Sequence, residues 1–320
     1  TRNRDVAREI LSTAAGLVLD GTDRLDLKIS SAALREMRAA FRLFAPYKAI
    51  PKVTVFGSAR TLPSDPLYVQ ARDAAAALAA KGWMVITGAG PGIMAAGLEG
   101  AGREQSIGIN IKLPFEQGAN QFIVDDPKLI EMRYFFTRKL MLMKESDGFI
   151  VLPGGFGTLD EGFELLTLLQ TGKADPAPVV MLEVPGGTYW KSWEKFLLGE
   201  VASRGLVDPD DQVLYRITDD AEDAAGEILS FYRNYHSRRF VGSRLVIRMR
   251  AELSSEHLAQ LNAEFADIVT EGAIERTEPL PPETADDDNV DLPRIVFVFD
   301  QIHNARLRVL IDRLNEMPSP

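Results

Sequence analysis

Apolar and polar positions along this chain fall into blocks whose period switches between helical and strand-like. Residues 6–19 and 31–44 carry apolar side chains at helical spacing, and Ser30 or Ser31 stands where a cap for the second helix is expected. Pro46 and Pro51 then mark a linker. Short apolar runs follow at 53–56, 83–87, 106–111, 122–124, 149–152 and 179–182, each of a length and composition that predicts a buried strand. Between them lie helical patterns at 71–80, 129–144, 159–169, 189–203 and 219–235. Helix 129–144 reads as apolar on nearly every face through Met132, Phe135, Phe136, Leu140 and Met143, which predicts deep burial. The tryptophans of 189–203, Trp190 and Trp193, predict a packing or subunit surface. This alternation argues for an α/β fold with a doubly wound, Rossmann-like parallel sheet. After residue 239 the pattern changes: a strand at 244–250, a helix at 254–266 capped by Ser254 or Ser255, strands at 273–276 and 294–299, and a helix at 304–314. Residues 278–291, rich in proline and acid, read as an exposed or mobile loop. The resulting division is an N-terminal helical extension (1–50), a Rossmann-like α/β domain (51–239) and a small α+β C-terminal extension (240–320).

The chemistry gathers where strands end in glycine. Strand 149–152 runs into Pro153-Gly154-Gly155-Phe156-Gly157-Thr158-Leu159-Asp160-Glu161. A glycine turn feeding a helix N-terminus offers free N–H groups to an anion, usually a phosphate. Thr158 is expected as the helix N-cap, with Asp160 and Glu161 in the first turn, where the helix dipole favours negative charge. Gly57 and Ser58 end the strand at 53–56, and Gly88-Ala89-Gly90-Pro91-Gly92 ends the strand at 83–87. The latter departs from dinucleotide spacing at Pro91 and lacks a well-placed acid for a ribose, so a mononucleotide site is expected. The loop at 112–121, with Pro114, Phe115 and Gly118, could cover a pocket or lie on the surface. Arg138 and Lys139 interrupt the apolar helix before the motif. A charge in such a helix needs a partner or a ligand.

Two of these elements together resemble a known family. The run Pro-Gly-Gly-x-Gly-Thr-x-x-Glu, at 153–161, and the pair Arg138-Lys139 are similar to the signature of the LONELY GUY proteins, formerly described as lysine decarboxylases. The resemblance spans about residues 52–204 and leaves both ends uncovered. It implies hydrolysis of the N-glycosidic bond of nucleoside 5′-monophosphates, AMP or cytokinin ribotides, to free base and ribose 5-phosphate. It implies Arg138 and Glu161 as catalytic residues. Gly57, Ser58, Gly90, Gly92, Lys139, Gly154, Gly155, Gly157 and Thr158 would bind substrate. Ala89 stands where the family turn is often richer in glycine. The glycine loop would hold the 5′-phosphate, and Glu161 would stabilise the oxocarbenium charge at C1′. Arg138 stays protonated at neutral pH, so it positions nucleotide or departing base electrostatically. Alternatives are a non-catalytic nucleotide-binding module and a molybdenum-cofactor carrier. A pyridoxal phosphate decarboxylase has no support beyond the older family name. The apolar helix carrying Arg138 and the tryptophan-bearing segment predict at least a homodimer, and the resemblance makes a hexamer plausible.

Composition narrows the remaining classes. The formal net charge of -10 argues against a general nucleic-acid binder. With no cysteine there is no disulfide, thiol nucleophile or thiolate metal site. His236, His257 and His303 form no metal-ligand spacing, and no metal or cofactor is expected. No apolar run reaches membrane-spanning length, and the first residues lack a signal-peptide pattern, so a cytoplasmic location is expected.

Overall fold

The computed structural model describes residues 3–112 and 118–317. Half of the expected loop at 112–121, including Pro114 and Phe115, therefore lies outside the described residues. The chain begins with α1 (Arg4–Leu19) and α2 (Arg24–Phe44). The second helix starts seven residues before the expected serine, because Asp23 accepts hydrogen bonds from the amides of Leu25 and Asp26 and is the actual cap.

A seven-stranded parallel sheet then forms from β1 (Lys52–Phe56), β2 (Met84–Thr87), β3 (Ser106–Ile111), β4 (Leu129–Met132), β5 (Gly148–Val151), β6 (Val179–Leu182) and β7 (Arg216–Thr218). Helices α3 (Pro66–Ala79), α4 (Ile93–Ala101), α5 (Phe135–Lys144), α6 (Phe156–Gln170), α7 (Tyr189–Phe196) and α8 (Ala221–Phe231) cover both faces. Strand order is β4-β3-β2-β1-β5-β6-β7. The chain runs outward from β1 through β2, β3 and β4, then returns to the other side of β1 with β5. The β1/β5 junction is thus the point where strand order reverses, the usual place for a ligand crevice beyond the strands' carboxyl ends. All residues of β1, β2, β3, β5 and β6 are buried, as expected for strands covered on both faces.

Three expectations are corrected. Residues 122–124 form a turn, anchored by Asn120, whose side chain accepts the Phe122 amide. The supposed long helix at 129–144 divides into edge strand β4 and the shorter α5. Ile109 and Ile130 pair across the sheet, so this apolar segment satisfies its backbone in the ladder. Only part of that helix is deeply buried: Met132 and Met143 are, whereas Phe135, Phe136 and Leu140 are 59%, 55% and 45% exposed. Trp190 is fully packed and donates to the Leu182 carbonyl, whereas the helix expected at 189–203 gives way after Phe196 to a five-residue π-helical turn.

The C-terminal part is a four-stranded antiparallel sheet of β8 (Tyr235–Val241), β9 (Arg244–Met249), β10 (Val269–Arg276) and β11 (Arg294–Phe299), ordered β10-β11-β9-β8. Helices α9 (Ser255–Glu264) and α11 (Asn304–Glu316) join its core, which includes Leu261, Leu307, Leu310 and Ile311. Ser254 caps α9 through the His257 amide. The reading had no strand at 235–241, where the charged run His236–Arg239 hides the alternation. Residues 278–291 are not a free loop. They contain α10 (Pro281–Asp286), and its Glu283 is fully buried between Arg248 and Arg294, each 2.8 Å from the same Oε1. Asp288 adds a contact to Arg248 at 2.7 Å and one to Arg239 at 2.8 Å.

Candidate functional site

Three turns meet above β2, β1 and β5. The Ile93 amide donates to the Ser58 carbonyl at 3.0 Å, which joins the turn after β2 to the turn after β1. Gly92 sits at φ 68°, and a Cβ there would lie 2.3 Å from the Ser58 carbonyl oxygen. Only glycine meets both conditions. A Cβ on Gly154 would lie 2.2 Å from Thr158 Oγ1 and 3.1 Å from the Ser58 nitrogen, so the third turn closes on the first. Gly57, Ser58, Gly90, Gly92, Gly154 and Thr158 therefore belong to one connected cluster of turns. Gly155 and Gly157 lie at its exposed lip, beside Phe156, which is 95% exposed.

The motif helix begins earlier than expected. Gly155 is its N-cap, Phe156 its first residue, and no side chain caps it. Thr158 lies inside the first turn and is buried against Gly154, so it is not the cap. Asp160 and Glu161 accordingly fall in the second turn. The reason is local: the glycines adopt the helical turn themselves, which leaves the first amides of a 15-residue helix without a side-chain acceptor. Such an end is suited to an anion.

Arg138 lies in the middle of α5 and is 9% exposed. Its Nε donates to the Ile109 carbonyl, in the second half of β3, at 2.9 Å. The guanidinium rests on Gly88, where a Cβ would lie only 2.0 Å from Nη2. Gly88 therefore makes room for the arginine, a role the sequence reading did not assign. Glu161 is half-buried, and burial pushes its carboxyl up to about 7 from an ordinary 4.5. Arg138 and Lys139 pull the value down, and Asp160 and Glu164 push it up. Lys139 is held between two carboxylates, 2.6 Å from Asp160 and 2.6 Å from Glu164. Its charge ties α5 to α6, and Asp160 is its partner rather than a first-turn dipole residue.

Supporting contacts escaped the sequence reading. Tyr189 donates from its hydroxyl to the Gly154 carbonyl at 2.7 Å. Asn120 holds the second turn from below, its amide on the Ala89 carbonyl and its Nδ2 on the Gly90 carbonyl, both at 2.8 Å. No spacing rule marks either residue, since Asn120 reaches the site from the loop after β3 and Tyr189 from the start of α7. Ala89 adopts φ 59°, so its methyl group is carried on left-handed backbone. Among the described residues no group of three or more histidine, aspartate or glutamate side chains is arranged to hold a metal ion.

The chain is 32% identical over 179 residues to a cytokinin riboside 5′-monophosphate phosphoribohydrolase of Mycobacterium tuberculosis, covering 54% of this chain and 90% of that protein. It belongs to that family. The family model described as possible lysine decarboxylase matches residues 91–228, which include Arg138 and the whole motif. A relative of the same description from Arabidopsis thaliana is 42% identical over 72 residues, 22% of this chain and 32% of that protein. The chain thus spans most of the mycobacterial relative and about a third of the plant one. Among solved structures, the molybdenum cofactor binding protein of Rippkaea orientalis is similar at 22% identity with a TM-score of 0.40, over 57% of this chain and 96% of that one.

Proposed function

We propose that the chain hydrolyses the N-glycosidic bond of nucleoside 5′-monophosphates, releasing free base and ribose 5-phosphate. The observation that carries this reading is the pairing of an uncapped helix N-terminus with a half-buried Glu161 one turn further along the same helix. The free amides of α6, with Thr158 behind them, bind the 5′-phosphate. The ribose then lies over the first turns of α6, near Glu161. As the base leaves, C1′ gains positive charge, and the Glu161 carboxylate stabilises it and orients the attacking water. Arg138, fixed by Ile109 and Gly88, supplies positive charge to the nucleotide or departing base. Lys139 acts through Asp160 and Glu164 to hold α5 against α6. A buried acid with a raised pKa set beside a fixed arginine is a combination that a passive phosphate cradle has no need of.

Family membership favours a cytokinin ribotide as substrate, after the name of the mycobacterial relative, and AMP is the simpler nucleotide of the same class. The test is incubation of the purified chain with AMP and with isopentenyl-AMP, followed by chromatography for released base. Release from either supports the reading. Tight binding of both without release places the chain among non-catalytic nucleotide-binding modules instead.

The second part of the proposal is a homodimer or larger homo-oligomer. Phe135, Phe136 and Leu140 of α5 and Phe156 of α6 are exposed beside the proposed catalytic pair, and α1 buries no residue while exposing Val6, Ile10, Leu11 and Val18. A second copy of the chain would cover these faces. Among the described residues no helix is long and apolar enough to cross a membrane.

A further inference from the structure

At the pole opposite the glycine turns, a cavity of about 670 Å³ opens where the N-terminal linker, the parallel sheet and the C-terminal sheet meet. Pro51 and Asp147 in its wall directly precede β1 and β5, so it lies at the amino ends of the two central strands. Lys48, His236 and Arg250 line it, together with Trp83 and Tyr232, whose ring centroids are 5.8 Å apart. The convergence of three basic side chains runs against a chain of net charge -10.

These groups are poised rather than spent. Arg250 uses Nε on the Tyr232 carbonyl, at 2.9 Å. No carboxylate among the described residues pairs with Arg250 or with Lys48. Asp147, the acid in the wall, accepts the Lys52 amide on Oδ2 at 2.9 Å, and burial pushes its carboxyl upward. Burial first, then the charges of Arg250 and Arg248, hold His236 below its ordinary range, against the opposing charge of Asp288. A guanidinium and an ammonium facing one cavity match the divalent charge and the several acceptor oxygens of a phosphate group. The two aromatic rings provide an apolar wall for an organic remainder.

We propose that this cavity binds a small phosphate-bearing metabolite, with Lys48 and Arg250 as its anion-binding pair. The site is independent of the nucleotide site, because all three glycine turns lie at the other ends of the strands. It sits where both terminal additions touch the parallel sheet, so a ligand there is contacted by all three parts of the chain.

The experiment is calorimetric titration of the full chain with inorganic pyrophosphate. Gly155→Asp places a carboxylate at the lip of the glycine turns, where a side chain meets open space, and removes binding there. Pyrophosphate binding that survives in Gly155→Asp and weakens about tenfold or more when Lys48→Gln and Arg250→Gln are added supports the proposal. Absence of binding in Gly155→Asp, or binding unchanged by the added pair, overturns it. Should Arg250→Gln lower the melting temperature, Lys48→Glu decides alone, since that side chain is exposed. It must weaken binding in the Gly155→Asp background for the proposal to stand.

Discussion

Glu161 concentrates the pH behaviour of the site in one proton. Its folded-state value of about 7 lies above the ordinary 4.5, so the folded chain holds this proton more tightly than the unfolded chain. The stabilising contribution is complete below about 4.5 and is lost as pH rises toward 7. Glu161→Gln cannot ionise. Its melting temperature is therefore expected to exceed the wild-type value at pH 8, with the gap closing by pH 5. For catalysis the ionised form acts, so kcat/KM is expected to climb with pH through about 7. Glu161→Gln is expected to lose about a hundredfold or more in kcat while still binding AMP. Wild-type cleavage by that variant would defeat the proposed mechanism. Two glycines separate folding from function. Gly92→Ala forces left-handed backbone and a clash with the Ser58 carbonyl, and is expected to cost at least about 1–2 kcal/mol in urea unfolding. Gly88→Ala meets the flexible side-chain ends of Arg138 and Met94, so it is expected to lower turnover with little change in unfolding midpoint. The sequence marked Gly92 through its place after a strand. It did not mark Gly88 as the arginine's seat, because that contact comes from a helix fifty residues away.

Elements with simple periodicity were legible in advance, and elements stabilised by distant partners were not. The buried strands at 53–56, 83–87, 106–111, 149–152 and 179–182 stand out because a doubly covered strand has no polar face to interrupt it. The edge strand β4 merged with α5 because both are apolar and only the ladder to β3 distinguishes them. The motif helix was placed three residues late, because Thr158 has the chemistry of a cap but its hydroxyl is used against Gly154. The segment at 278–291 illustrates the same limit more sharply. Its composition says solvent, yet Glu283 binds two arginines that are nearly inaccessible to water. Removing one member of a buried ion cluster leaves the others uncompensated. Glu283→Gln is therefore expected to destabilise the chain by about 3–5 kcal/mol, measured by denaturant unfolding. An unchanged midpoint would mean that water takes the place of the lost carboxylate.

At the scale of the whole molecule, the connected turns explain why the site tolerates a seven-stranded sheet with additions at both ends. The glycine turns stand on β2, β1 and β5, the central strands, and are braced by Asn120 and Tyr189, all outside the two terminal additions. The large exposed aromatics of α5 and α6 border the site, so association and catalysis are expected to be linked. Light scattering at micromolar concentration is expected to give a mass of at least two chains. Phe136→Asp is expected to shift that mass toward one chain and to lower turnover with it. A wild-type monomer of full activity would remove the oligomer from the proposal.

The strand order has a further effect on how the chain is made. β1 and β5 are neighbours, and Lys52 and Asp147, which exchange backbone and side-chain hydrogen bonds at their base, are 95 residues apart in sequence. During synthesis β1 emerges first, gains β2 on one side, and keeps its other edge open until β5 has left the ribosome. An open central edge whose residues are all buried in the folded chain invites pairing with another nascent chain. Translation that stalls between residues 112 and 147 should thus yield aggregating fragments, and a chain released after α6 should be the first able to retain a nucleotide.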